Sequence, residues 1–185
     1  MHVLGEDCSL CHAQLLACID AGEVGEDGSV DADYEFYARQ LIRAVFAYIE
    51  AVTFSVKAWS AGQCMENGVE ITPQERYFAT DTEYDLNDKG EVVETVAKIS
   101  LARNVRFAIA MNRKAHGVSQ SFDPSVGWWS HFREAIRIRD RLTHPKMPGD
   151  LDVSGDDIVK VLKAKTGFEQ ELRGIGDGAL SKGIG

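Results

Sequence analysis

Cysteine and proline are scarce in this chain of 185 residues, with four of each, and no long apolar run is present. The cysteine count excludes a disulfide-dense scaffold and leaves free thiols in a reducing cytoplasm as the expectation. No stretch approaches the roughly 18 apolar residues of a membrane span. The opening residues Met1-His2-Val3-Leu4-Gly5-Glu6-Asp7 carry an acidic pair and no basic start before a long apolar stretch, so no secretory signal is expected. Basic charge is in short supply overall: 20 Lys and Arg stand against 29 Asp and Glu, a net charge of -9. A uniformly acidic surface repels nucleic acid, so any nucleic-acid partner requires a local basic region. What is present is ordinary for a globular protein, with 44% hydrophobic and 26% charged residues. A single folded domain is expected.

Helical periodicity dominates. Residues 8–21 read as a short helix and 22–33 as a solvated acidic linker, so 1–32 forms an N-terminal extension. From Asp33 to Ala61, Tyr34, Tyr37, Leu41, Val45, Tyr48, Val52, Val56 and Trp59 recur every three or four residues, one face of a long helix. Phe36, Ile42, Phe46 and Ile49 widen that stripe. Asp33 is its expected cap and Gly62 its expected stop. Thr72-Pro73 with Glu75 predicts a capped short helix, and Asn87-Asp88-Lys89-Gly90 a turn with a small hairpin or loop. The helical period returns from Glu91 to His116, closed by Gly117. Another helix is expected from Ser125 or Val126 to Thr143, ended by Pro145, which disfavours helical backbone at His144. Ser154 with Asp157 predicts the capped start of a last helix through Leu172. Five glycines between Gly174 and Gly185 predict a mobile tail. The fold class expected is all-α, a bundle of four or five helices over 33–173.

Charge is unevenly distributed. From Leu101 to Lys146 nine bases face three acids, about +6, which leaves about -15 for the remaining residues. Arg133, Arg137 and Arg141 recur every four residues, and Arg103, Arg106 and Arg113 line the preceding helix at similar spacing. Two such stripes side by side make a phosphate-binding groove; pairing with the abundant acids elsewhere in the fold is the plain alternative. The segment Arg139-Asp140-Arg141-Leu142-Thr143-His144-Pro145-Lys146 is the most informative. Arg139 falls in the apolar series of Trp128, Phe132, Ala135 and Leu142, which is costly unless its head reaches a partner or a cleft. An imidazole, titrating near pH 6.5, can move a proton at neutrality, and an adjacent guanidinium can stabilise charge on a phosphate. His144 and Arg139 together meet the minimum for metal-independent RNA cleavage. A histidine at a helix C-terminus is otherwise an electrostatic cap.

Arg139-Asp140, four residues ahead of His144 counting those between Arg and His, resembles the motif of the HEPN superfamily: Arg, a polar residue, a short gap, then His. Arg137 to His144 has an acceptable gap, but Ile138 follows Arg137, so the polar position is missing. The resemblance covers 33–172 in layout and 132–158 in recognisable sequence. It implies a helical bundle that dimerises and brings two motif copies into one cleft. It also implies a metal-independent endoribonuclease of toxin–antitoxin, phage-defence or RNA-processing type, or a non-catalytic interaction module. His144 would be the acid–base residue, Arg139 the phosphate ligand, and Asp140 would orient one of them. Asp140 stands where an amide is more usual and is placed to pair with Arg139. Arg133, Arg137, Arg141 and Lys146 would bind backbone phosphates. The expected partners are RNA, a second copy of the chain, and an antitoxin or other protein, with no membrane. The segment 84–94 has no counterpart in the family.

Cys8-Ser9-Leu10-Cys11-His12 matches the c-type haem attachment pattern, but export is not indicated and no axial ligand is evident. With His2 and Cys18 the region also holds zinc-ligand types, without the regular paired spacing of structural sites. The plainer reading places Cys8, Cys11, Leu15 and Cys18 on the packed face of a short helix. No cofactor or metal is expected. Trp128-Trp129 offers a base-stacking pair, although one of two adjacent helical aromatics usually packs inward.

Overall fold

The capped starts and turn signals in the sequence recur as the boundaries of a mostly helical fold. The computed structural model describes residues 2–21 and 32–180 (178–180 as backbone only). Six α-helices lie among them: α1 (His2–Asp20), α2 (Ala32–Glu66), α3 (Pro73–Ala79), α4 (Leu101–Ala115), α5 (Gly127–Thr143) and α6 (Gly155–Leu180). Strands β1 (Thr82–Leu86) and β2 (Val92–Val96) separate α3 from α4, and a 3-10 turn, Pro148–Leu151, follows α5. No described helix is long and apolar enough to cross a membrane.

These elements divide into two compact units. The first draws on Met1–Ile49 and Pro124–Phe168, the second on Glu50–Asp123 and Glu169–Gly185. Helices α2 and α6 contribute to both. In the first unit the core is apolar. Leu41, Ile42, Val45 and Ile49 of α2 are fully buried, as are Phe132 and Ala135 of α5 and Val161 and Phe168 of α6. Packing of α6 on α5 depends on Gly167, whose missing side chain leaves room for Trp128; a Cβ there would sit 2.2 Å from the Trp128 Cβ. Trp129 is buried and stacks on Phe132 at 5.2 Å. On α1, Cys8, Leu15 and Cys18 are buried and Cys11 is half-buried.

The second unit has its own core cluster of Ala61, Cys64, Ala79 and Met111, with Val69, Ile71, Phe107 and Ala115 packed against it. Helix α3 carries the expected capping box. The Glu75 N–H donates to Thr72 Oγ1 at 3.1 Å, and the Thr72 N–H to Glu75 Oε2 at 2.8 Å. The turn between the strands is organised by Asn87, whose Oδ1 accepts from the N–H groups of Lys89 and Glu91.

Four boundaries differ from the sequence expectation, the first being α1, which begins at His2 and not at residue 8. Helix α2 runs through Gly62 to Glu66, because one interior glycine costs only about 0.5–1 kcal/mol. It ends instead where Gly68 adopts φ 67° and Val69 N–H returns to the Cys64 carbonyl. Its inward face also drifts from the expected stripe: Thr53, Lys57 and Ser60 are buried while Trp59 is exposed. Residues 92–96 are strand, not helix, since β-branched Val92, Val93, Thr95 and Val96 pair across the Asn87–Gly90 turn. Helix α6 continues past Gly174 to Leu180, and Ile175 is buried. Most of the expected acidic linker (22–31) and the last residues of the expected tail (181–185) lie outside the described residues.

Candidate functional site

Helix α5 positions the Arg139, Asp140 and His144 candidates. Its apolar series, Trp129, Phe132, Ala135, Ile138 and Leu142, is buried, and Arg139 occupies the same side one turn before the end. The guanidinium does not enter the core unprotected. Its Cζ lies over the Phe46 ring at 5.3 Å, and Nη1 stands 3.5 Å from the Asp140 carboxylate. Cation–π attraction fits a planar guanidinium whose stem is desolvated and whose head stays at the rim. Its side chain keeps 25% exposure, against 55% for Asp140.

At the helix end the His144 N–H donates to the Asp140 carbonyl at 2.9 Å, with φ -128° and ψ 57° at His144. This backbone leaves the helical path as Pro145 requires. The His144 side chain is exposed, and among the described residues no hydrogen bond or ion pair holds its ring.

The loop beyond His144 is tightly organised. Lys146 and Met147 donate their N–H groups to Asp150 Oδ2 at 2.7 and 3.1 Å. These two bonds hold the Asp150 carboxyl below its ordinary value, with Arg141 and Lys146 adding to the effect. Arg141 Nη1 donates to the carbonyls of Asp150 and Asp152, and Nη2 to Asp157 Oδ2 at 2.8 Å. Asp157 also closes the expected capping box of α6 with Ser154. Arg141 therefore fastens this loop to α6 through three of its five N–H donors.

The remaining basic candidates do not gather round Arg139. At about 100° per residue, Arg133, Arg137 and Arg141 sit roughly 120–160° around α5 from Arg139. Arg133, Arg137 and Lys146 are exposed. On α4, Arg113 is engaged by Glu171 and the Gln120 carbonyl, and Arg103 and Arg106 are exposed. The stripes on α4 and α5 belong to different units. Sequence reasoning counted Phe46 only as core; no local signal marks it as the shelf under a guanidinium some ninety positions away. It missed Lys57 altogether, a fully buried lysine in the second unit.

The arrangement can place an exposed imidazole and a partly exposed guanidinium at one end of one helix. Among the described residues no group of three or more His, Cys, Asp or Glu is disposed to hold a metal ion. Comparisons with protein-family models, with curated proteins and with solved structures find no match to this chain.

Proposed function

We propose that the chain is an endoribonuclease of the HEPN type that needs no metal, acting as a homodimer with the motif of each copy turned into a shared cleft. The observation that carries this reading is the end of α5. Arg139 is held over Phe46 with its head at the surface, and His144 is exposed with its ring unclaimed.

In this mechanism His144 accepts the proton of the ribose 2′-hydroxyl as that oxygen attacks phosphorus, or donates a proton to the departing 5′-oxygen. Arg139 stabilises the charge on the five-coordinate phosphorus centre. The products are a 2′,3′-cyclic phosphate and a free 5′-hydroxyl. Asp140 tempers the phosphate affinity of Arg139, to which it is paired, while Arg141 holds the loop after His144 in place. Arg133, Arg137 and Lys146 are left to contact phosphates away from the reacting centre.

The test is cleavage of end-labelled RNA in the presence of EDTA. His144→Ala should slow cleavage by about 10²–10⁴-fold, the usual weight of a general acid–base group, and Arg139→Ala should impair it comparably without unfolding the protein. Unchanged cleavage in His144→Ala overturns the assignment. The Arg139–Asp140 pair favours one second reading, a non-catalytic interaction module of the same type. Absence of cleavage in wild type and in Asp140→Asn alike would support it.

A further inference from the structure

The β1–β2 hairpin adds little to the core of its unit. In its register Thr82 opposes Val96, Tyr84 opposes Glu94, and Leu86 opposes Val92. Directly opposed residues project from the same face. On that face Leu86 is 65%, Val92 69% and Val96 75% exposed, and Tyr84, edge-on to Tyr77 at 4.7 Å, is 47% exposed. A two-stranded hairpin is marginal in water, and this one keeps an apolar face turned to solvent.

Its root, in contrast, is firmly held. The Ala97 N–H donates to the Asp81 carbonyl at 2.8 Å, closing the base of the hairpin. Asp81 adopts φ 55°, a left-handed conformation costly for a residue with a side chain. Its carboxylate receives Lys57 Nζ, and Nζ also donates to Asn104 Oδ1 at 2.8 Å. Lys57 is fully buried. Burying an ammonium is expensive even when paired, and here that cost fixes the exit point of an element whose apolar side chains remain in water.

Charge identifies what fits. Between Thr82 and Val96 five acids (Glu83, Asp85, Asp88, Glu91, Glu94) face one Lys89, a net -4. Pairing β2 with a second copy of itself would bring Glu91 and Glu94 against like charges, which is unfavourable. Nucleic acid is repelled for the same reason. An extended segment alternating apolar and basic residues matches on both counts. Its period of two puts the apolar side chains beside Val92 and Val96 and the basic ones on the opposite face, the side of Glu83, Asp85 and Glu91, while its backbone bonds the outer edge of β2.

We propose that the β1–β2 hairpin is a docking arm that captures a protein partner through an extended segment of alternating apolar and Lys or Arg residues, added as a strand to β2. This is independent of the nuclease reading, since no residue of α5 takes part.

The probe is a short fluorescent peptide alternating lysine and valine, titrated into the full chain, with a glutamate–valine peptide and a backbone N-methylated lysine–valine peptide as controls. The first should bind saturably and more weakly as salt is raised. Glu91→Lys and Val92→Lys, both at exposed positions that leave the fold intact by circular dichroism, should each weaken binding by about tenfold or more, the first by like-charge juxtaposition at the interface and the second by replacing an apolar contact with a charge. N-methylation should do the same. No saturable binding, equal binding of the glutamate peptide, or insensitivity to both substitutions overturns the proposal. Concentration-dependent dimerisation abolished by Val92→Lys, without peptide binding, would assign the face to a second copy instead, and displacement of the peptide by RNA would assign it to nucleic acid.

Discussion

Between Tyr34 and Ile49, α2 turns a continuous apolar stripe inward: Ala38, Leu41, Ile42, Val45, Phe46 and Ile49. Between Thr53 and Cys64 the buried stripe of the same helix is instead Thr53, Lys57, Ser60, Ala61 and Cys64. The first half needs only shape and hydrophobicity from its neighbours, and it supports Arg139 through the Phe46 ring. In the second half Lys57 must be met by particular polar groups, and it gets them from Asp81 and Asn104, whereas the buried Thr53 and Ser60 hydroxyls find no hydrogen-bond partner among the described residues. An apolar stripe stabilises whatever packs on it; a buried ammonium tolerates only the partners that neutralise it. The polar half accordingly holds the root of the hairpin in one arrangement, whereas the apolar half contributes the greater stability for its length.

The substitution that breaks this contrast most is Lys57→Ala, which strands Asp81 and Asn104. Loss of one member of a buried pair costs about 3–5 kcal/mol, and the lower end applies because Asp81 keeps 29% exposure. Denaturant midpoints should show the loss, and hydrogen exchange should show Ala97 losing protection with it. Exchange at Ala97 as slow as in wild type would mean that the hairpin does not depend on Lys57.

In the apolar unit the corresponding weak point is a close approach, not a charge. Gly167→Ala places a Cβ against Trp128. Overpacking of this kind costs about 1–3 kcal/mol, offset by about 0.5–1 kcal/mol from removing a helical glycine. A net fall in Tm is expected; a rise would show that Trp128 yields freely. The smallest effect is acidic. The Asp150 carboxyl is held below its ordinary value of 3.8, so its contribution is complete above that pH and disappears as pH falls through the lowered value. The protection of the Lys146 and Met147 amides, relative to their intrinsic exchange rates, should therefore hold down to about pH 4 and fall only below it, while that of Ala97 is unaffected over the same range.

Much of the fold was legible because the signals are satisfied within a few residues. Thr72 and Glu75 cap each other, Ser154 and Asp157 do the same, Asn87 builds its own turn, and Pro145 ends α5 where expected. The readings that differed depend on distant partners. Val92 to Val96 became a strand because β1 lies across the turn, Gly62 was carried through α2, and the glycines after Gly174 were carried through α6. Arg139, Asp140 and His144 resemble a motif by spacing alone, and the structure places all three at the end of α5. Arg141, spaced identically to Arg133 and Arg137, could not be told from them until Asp150, Asp152 and Asp157 were seen to occupy it.

Local chemistry in the sequence by itself determined the helical character, the caps, the turn and the end of α5, since each rests on neighbours in the chain. Tertiary structure alone decided which arginine rests on Phe46 and which is tied to a loop, and that a lysine on an otherwise packed helix face is neutralised by Asp81. Burial and ion pairing are settled by whatever side chain arrives from elsewhere in the fold, and linear spacing carries no record of that arrival.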